Sequence, residues 1–359
     1  MLTLYKLKST PIANLFPAEP YTGEFYPLEL KECARCEHVQ IGHVIDDATL
    51  YGAGYKYETP SSLRPRIRKR ADALRSMYPD FNSVLEIGAN NGIFLEELRA
   101  AGFRKVIGID PSSAHVDIWR IAFDQESAHS LRRANHGCFD LIVANNVFAH
   151  IDDLNEVFEA MNIVLSNSGV IVFEVQYLPA LVRSGAFDMI YHEHRDYHHL
   201  APLVSFLTKH GLVLTDWEIF EAHGGSIRIT AKRTGTQKVL PDEYMNWSEF
   251  HGRIRDNGIS VHTQIGTGTV AAFGAPAKAV TMIHHFGLQN NISHCVDDTL
   301  QKHGCYIAGT QIRVVSRSAM QNRMLLLSWN YEAIIRDEFP DVNFIVPMAE
   351  KENGRAAYA

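Results

Sequence analysis

The stretch Val84-Leu85-Glu86-Ile87-Gly88-Ala89-Asn90-Asn91-Gly92 decides the fold. A short apolar run meets a glycine-rich turn, and beyond it Phe94, Leu95 and Leu98 recur at helical spacing. Such a turn lets a ligand approach the backbone closely and places it at a helix N-terminus. Glu86 is an acid ahead of the first glycine. A second acid, Asp110, ends the next apolar run, Val106 to Ile109, where a carboxylate can hold two ribose hydroxyls. The third glycine of a dinucleotide loop is absent, and no Gly-Lys-Ser/Thr marks a triphosphate loop. The competing reading is a tight turn in a parallel sheet that binds nothing.

Outward from this loop, apolar runs alternate with helical patterns. Leu141 to Ala144 and Val170 to Val175 read as strands, and Leu154, Val157, Phe158 and Met161 as one helix face. Strand–helix alternation of this kind means a mostly parallel sheet covered on both faces. Residues 1–65, rich in Pro, Tyr and Gly, read as a small lobe with short strands at Phe25 to Leu30 and Val39 to Ile45. Residues 66–235 hold the main α/β domain. Residues 236–359 begin with a helix predicted from near Pro241 to Asn257-Gly258. They continue as a smaller α/β unit with strands at Val270 to Phe273, Met324 to Leu327 and Phe344 to Val346.

The 359 residues ask for two or three domains, and 46% apolar with 21% charged residues is the balance of a globular chain. A net charge of −7 argues against a general nucleic-acid or anionic-membrane binder. No apolar run approaches the roughly 18 residues of a membrane span, and lysines interrupt the first residues where a signal peptide would be apolar. Five cysteines make no disulfide framework. The expectation is a soluble, cytoplasmic protein.

The pattern Glu86-x-Gly88-x-x-x-Gly92 with Asp110, and the run Phe139-Asp140-Leu141-Ile142-Val143-Ala144-Asn145-Asn146, resemble class I S-adenosylmethionine-dependent methyltransferases. That resemblance implies a Rossmann-like α/β domain with Glu86, Gly88, Asn90, Gly92, Asp110 and Asn145 around the cofactor. Asn146 to Leu154, Tyr191-His192-Glu193-His194, His223-Gly224-Gly225-Ser226-Ile227-Arg228 and Gly274-Ala275-Pro276-Ala277-Lys278 narrow it. In that order they resemble the C-methyltransferases of nucleotide-linked 4-keto-deoxysugars. In residues 1–65, Cys33-Ala34-Arg35-Cys36 looks like the second half of that family's zinc module, whose first Cys-x-x-Cys pair is absent here. Cys33 and Cys36 with His38 and His43 are the available zinc ligands. The alternative is a lobe that has lost its metal and holds by packing.

Carbon has no lone pair, so its methylation needs a base to remove a proton beside a ketone, donors for the developing oxyanion and an in-line sulfonium methyl. Histidine suits the base role because it is largely neutral at working pH. The resemblance makes His194 that base, with Glu193 orienting a ring or hydroxyl, Tyr191 a phenol donor, and Asn146 and His150 facing the same cleft. It also implies a tyrosine from the first lobe, with Tyr55 and Tyr57 as candidates. His223, Ser226, Arg228 and Lys278 are expected at the nucleotide diphosphate of the substrate. Three other readings compete. His192, His194, His198 and His199 could form a metal site. The acceptor could be an oxygen or nitrogen of another small molecule. The fold could also survive as a non-catalytic binding module.

Overall fold

A computed structural model describes residues 1–359 except 22, 53–58, 221–223 and 349–359. Three sheets organise the chain. The first begins with β1 (Leu2–Thr10), β2 (Tyr26–Glu32) and β3 (Val39–Ile41), all antiparallel. The central sheet contains β4 (Ser83–Ile87), β5 (Lys105–Ile109), β6 (Ile118–Trp119), β7 (Phe139–Asn145) and β8 (Leu165–Gln176). The short β9 (Asp196–Tyr197) returns to pair with β3 and so closes the N-terminal sheet from the far side of the chain. The central sheet ends with β10 (Val213–Phe220) and β11 (Ser226–Lys232), giving the order β10-β11-β8-β7-β4-β5-β6.

β4 to β8 run parallel, and β11 is antiparallel to both of its neighbours. Alternate residues of each strand feed opposite faces, as the pleat requires. Leu85, Ile87, Ile142 and Ala144 pack under the helix Leu154–Val164 on one face, and Val84, Leu141 and Val143 meet the helices Arg64–Met77 and Ile93–Ala100 on the other. This is the class I Rossmann-like α/β architecture. Strand order reverses between β4 and β7, and in such sheets a ligand crevice opens beyond the carboxyl ends of the strands at that point. The Gly88–Gly92 loop and Asn145-Asn146 are its two lips.

The C-terminal unit is a second parallel sheet, β12 (Val270–Phe273), β13 (Ile292–Val296), β14 (Arg313–Val315), β15 (Arg323–Leu326) and β16 (Asn343–Ile345), in the order β14-β13-β12-β15-β16. The helix expected from Pro241 starts instead at Trp247, where the Asn246 side chain accepts from Glu249 N, and runs through Gly258 to Ile265. Gly258 does not stop it. A Cβ there would lie 3.1 Å from the Phe286 ring, so the glycine lets the two helices touch, and the buried stripe Phe250, Ile254, Val261, Ile265 continues past it.

The N-terminal lobe has little core of its own. Leu28, Leu30, Val39 and Ile41 join one apolar cluster with Phe250, Val280, Met282 and Ile283 of the C-terminal unit and Leu181, Phe187 and Ile190 of the central domain. No helix among the described residues is long and apolar enough to cross a membrane. Phe250 is fully buried in the shared cluster and meets Tyr5 edge-on at 5.3 Å. Truncating Phe250 to Ala should lower stability by about 3–5 kcal/mol, read by chemical denaturation, with the two terminal units losing structure in a single transition.

Candidate active site

The cofactor loop is shaped by positive φ angles at Gly88 (72°), Asn90 (47°) and Gly92 (80°). A Cβ on Gly88 would sit 2.3 Å from Val147 Cγ2, so the turn after β4 and the turn after β7 pack at a distance only glycine allows. Asp110 is buried at the end of β5. Its Oδ2 accepts from Asn90 N at 2.9 Å, and its Oδ1 accepts from Ser112 N at 2.8 Å and Ser112 Oγ at 2.7 Å. Thr59 N donates to Asn90 Oδ1 and Asn91 Nδ2 to Thr59 O, both at 2.9 Å, strapping the exit of the N-terminal lobe onto the loop.

Glu86 lies beneath the loop, and burial pushes its carboxyl up to about 8; Arg70 opposes the shift and Asp110 adds to it. Its Oε2 is buried with no hydrogen-bond partner among the described residues, and so is Asn145 Oδ1. Raised this far by burial, the Glu86 carboxyl favours its protonated, neutral form near pH 7. Asn146 is exposed on the other lip with φ at 55°, its N–H donating to Glu174 O at 2.8 Å.

Beside this crevice four rings converge. Met189 O lies 3.0 Å from His194 Nδ1; a carbonyl only accepts, so Nδ1 carries the proton and Nε2 is the bare nitrogen. The Tyr191 hydroxyl donates to Nε2 at 2.7 Å. The His150 ring stands edge-on to His194 with centroids 4.9 Å apart, and Tyr51 OH is 3.4 Å from His150 Nδ1. Burial and the Arg195 guanidinium push His150 down to about 4, which keeps it neutral at working pH. Glu193 is fully buried. Its Oε1 accepts from Asn14 N at 3.1 Å and Asn14 Nδ2 at 3.3 Å, and burial pushes its carboxyl up to about 6, with these donors opposing.

Comparisons with known proteins bear on the family of the chain. The methyltransferase domain family matches residues 56–216, and the C-methyltransferase C-terminal domain matches residues 241–347. C-methyltransferase NovU of Streptomyces niveus is 30% identical across 97% of this chain and 93% of its own length. The chain belongs to the S-adenosylmethionine-dependent C-methyltransferase family. Among solved structures, a methyltransferase from Archaeoglobus fulgidus is 17% identical at a TM-score of 0.36, covering 47% of this chain and 94% of that one. One from Clostridium acetobutylicum ATCC 824 is 15% identical at 0.34, covering 47% and 92%. The strand order, not these superpositions, carries the fold.

For this methyltransferase the crevice fits S-adenosylmethionine: a Cβ on Gly88 would collide with Val147, and Glu86 Oε2 and Asn145 Oδ1 are buried polar atoms without a hydrogen-bond partner among the described residues. Zinc does not fit. Cys33 and Cys36 sit on a surface turn, His38 Nε2 is 2.6 Å from Asp196 Oδ1, and His43 stacks on Tyr26. Among the described residues no group of three or more His, Cys, Asp and Glu could hold a metal. The turn at Cys33 and Cys36 thus offers no four-ligand zinc set among the described residues. The histidine run is not a metal site either: His192 Nε2 meets Pro27 O and His199 Nε2 meets Glu37 O, so both rings bind the N-terminal lobe.

Tyr55, Tyr57 and His223 lie outside the described residues. The lobe tyrosine that the structure places in the site is Tyr51, the first aromatic of the same tyrosine-rich segment. Ser226 is buried at the start of β11. Arg228 is spent on Glu174 at 2.6 Å and Glu218 at 2.5 Å and stacks on Phe220. Lys278 faces inward, 3.4 Å from Asp188, so a substrate phosphate there would have to displace that carboxylate. Asn14 and Arg195 escaped the sequence reading. Arg195 donates to Ile45 O and Asp47 Oδ1, and its own N–H reaches Ala149 O at 2.6 Å, tying the lobe to the turn that carries His150.

Two outcomes follow from these contacts. Replacing Asp110 by Ala should weaken S-adenosylmethionine binding at least tenfold by titration calorimetry, since the loop amide and the ribose lose one acceptor together. Glu193 has a folded pKa of about 6 against 4.5 for the free side chain, so the fold prefers its protonated form. Its contribution is lost as pH rises from about 4.5 through 6, by about 2 kcal/mol. Denaturation of Glu193→Gln across that window should lack this fall.

Proposed function

We propose that this C-methyltransferase deprotonates the carbon beside the ketone of a nucleotide-linked 4-keto-deoxysugar and methylates it there. The observation that carries the reading is the fixed tautomer of His194, whose bare Nε2 stands ready to take a proton. Neutral His150 and the two phenols stand around it, and His194 and Tyr191 are themselves buried, where donors act strongly on a developing oxyanion.

The proton bookkeeping is local. Before reaction Tyr191 O–H donates to Nε2. The phenol hydrogen passes along that bond to Nε2 as the Tyr191 oxygen takes the α-proton of the substrate, and the phenol's new hydrogen turns outward. It then meets the enolate oxygen that holds the electrons of the broken C–H bond. This coupled transfer thus creates both the nucleophile and the donor that stabilises it. Bound S-adenosylmethionine supplies an electrophilic sulfonium methyl. Glu86 and the glycine loop orient it toward the carbon, and Glu193, anchored on Asn14, holds the lobe side of the pocket closed. His194 ends protonated and loses that proton to solvent after product leaves.

His194→Gln keeps the ring-sized side chain but removes the basic nitrogen. It should bind S-adenosylmethionine with unchanged affinity while methyl transfer falls by about 10²–10⁴-fold. Deuterium uptake at the carbon beside the ketone, followed by mass spectrometry with a nucleotide-linked 4-keto-6-deoxyhexose in deuterated water, should fall with it. Normal turnover of the variant would refute the base assignment.

A further inference from the structure

The C-terminal sheet has its own reversal of strand order, between β12 and β15, and so its own crevice of the kind that binds ligands in parallel sheets. Its lips are Gly274-Ala275-Pro276-Ala277 and Leu327-Ser328-Trp329. A Cβ on Gly274, whose φ is 84°, would lie 2.0 Å from Ser328 Oγ, so the two lips touch as those of the cofactor crevice do. The parallel extends to the acid ending the second strand: Asp297 Oδ2 accepts from Ala275 N at 2.7 Å as Asp110 accepts from Asn90 N.

This second crevice already contains a carboxyl side chain. Asp188, fully buried, enters it from the central domain. Trp329 Nε1 donates to its Oδ2 at 2.6 Å, Lys278 Nζ is 3.4 Å from the same oxygen, and that ammonium sits 3.8 Å above the Trp329 ring. Burial pushes Lys278 down to about 8 and Asp188 up, each opposed by its partner, so neither charge is stable there alone. One turn along the same helix, Thr281 Oγ1 donates to Ile190 O at 2.8 Å. The residue between Asp188 and Ile190 is Met189, whose carbonyl accepts from His194 Nδ1.

We infer that the C-terminal crevice is filled by Asp188 as a built-in carboxylate ligand, and that this grip, with the Thr281 bond, holds the Met189 carbonyl that sets the tautomer of His194. Asp188, Lys278, Trp329 and Thr281 are then positioning residues for the base, and the second α/β unit acts on the chemistry through one peptide group. The inference rests on the reading of His194 as the base, but its test does not.

Two-bond proton–nitrogen spectra of the uniformly nitrogen-15-labelled protein report histidine tautomers, with His194 assigned by its loss in His194→Gln. The wild type should show His194 in the Nδ1–H form. Thr281→Val and Asp188→Asn should each convert it to a mixture of tautomers and lower kcat roughly ten- to hundredfold, with S-adenosylmethionine affinity unchanged. Thr281→Ser, which keeps the hydroxyl, should restore both signals. Folded Thr281→Val protein that retains a pure Nδ1–H tautomer and normal kcat would overturn the inference, and Thr281→Val is conservative enough to fold should Asp188→Asn fail. Titration with UDP or thymidine diphosphate gives a second arm. Lys278→Met should bind them as the wild type does, and a tenfold loss would make the crevice a site for an external ligand instead. Failure of the base reading is seen separately, as normal turnover by His194→Gln.

Discussion

A carbonyl oxygen accepts hydrogen bonds and never donates them, and the site depends on that fact at Met189. Its oxygen, 3.0 Å from His194 Nδ1, leaves Nε2 as the nitrogen able to take a proton. The Tyr191 phenol, the edge of His150 and Tyr51 are then arranged around Nε2. Were the ring free to flip or change tautomer, the same side chains would surround a donor and the site would have no base. Both helix and loop contacts therefore converge on residues 187–190, including Tyr197 OH, 3.5 Å from the same carbonyl.

That segment is held by parts of the chain distant in sequence because the apolar core is shared. The N-terminal lobe buries Leu28, Leu30 and Val39 against a cluster that also contains Phe187, Ile190, Phe250 and Ile283. A lobe this small cannot bury enough surface to stand by itself, and it packs on the other two units. Buried polar links secure its register: Glu193 on Asn14, Arg195 on Ile45 and Asp47, and β9 on β3. The segment proposed to carry the base is thus also the strut that attaches the lobe.

The two parallel sheets repeat one device with different outcomes. Each has a reversal of strand order, touching lips that require glycine, and an acid at the end of its second strand turned to a loop amide. In the central domain Glu86 lies near the end of β4, a carboxyl raised by burial. In the C-terminal unit the corresponding space holds Asp188, bonded to Trp329 through Oδ2 and ion-paired with Lys278, while Asp188 Oδ1 and Lys278 Nζ have no hydrogen-bond partner among the described residues. On the inference drawn above, similar backbones would serve cofactor binding in one domain and internal bracing in the other.

Local sequence determined the central sheet and the cofactor loop. Short β-branched runs, helical spacing after Gly92 and two acids at strand ends are local patterns, and β4, β5, β7 and β12 appear where those patterns stand. The family order of motifs also marked Tyr191, Glu193, His194 and His150, which the fold does bring together. Local pattern could not find β1, whose lysines interrupt an apolar alternation that only pairing with β2 makes legible. Nor could it end the helix at Ile265, because Gly258 reads as a stop until Phe286 is seen against it. Tertiary structure alone chose Tyr51, Asn14 and Arg195 as neighbours of the site, and it turned Lys278 inward onto Asp188. Each of those choices depends on a contact between residues far apart in the chain, and what a side chain meets across the core is a property of packing, not of its sequence neighbours.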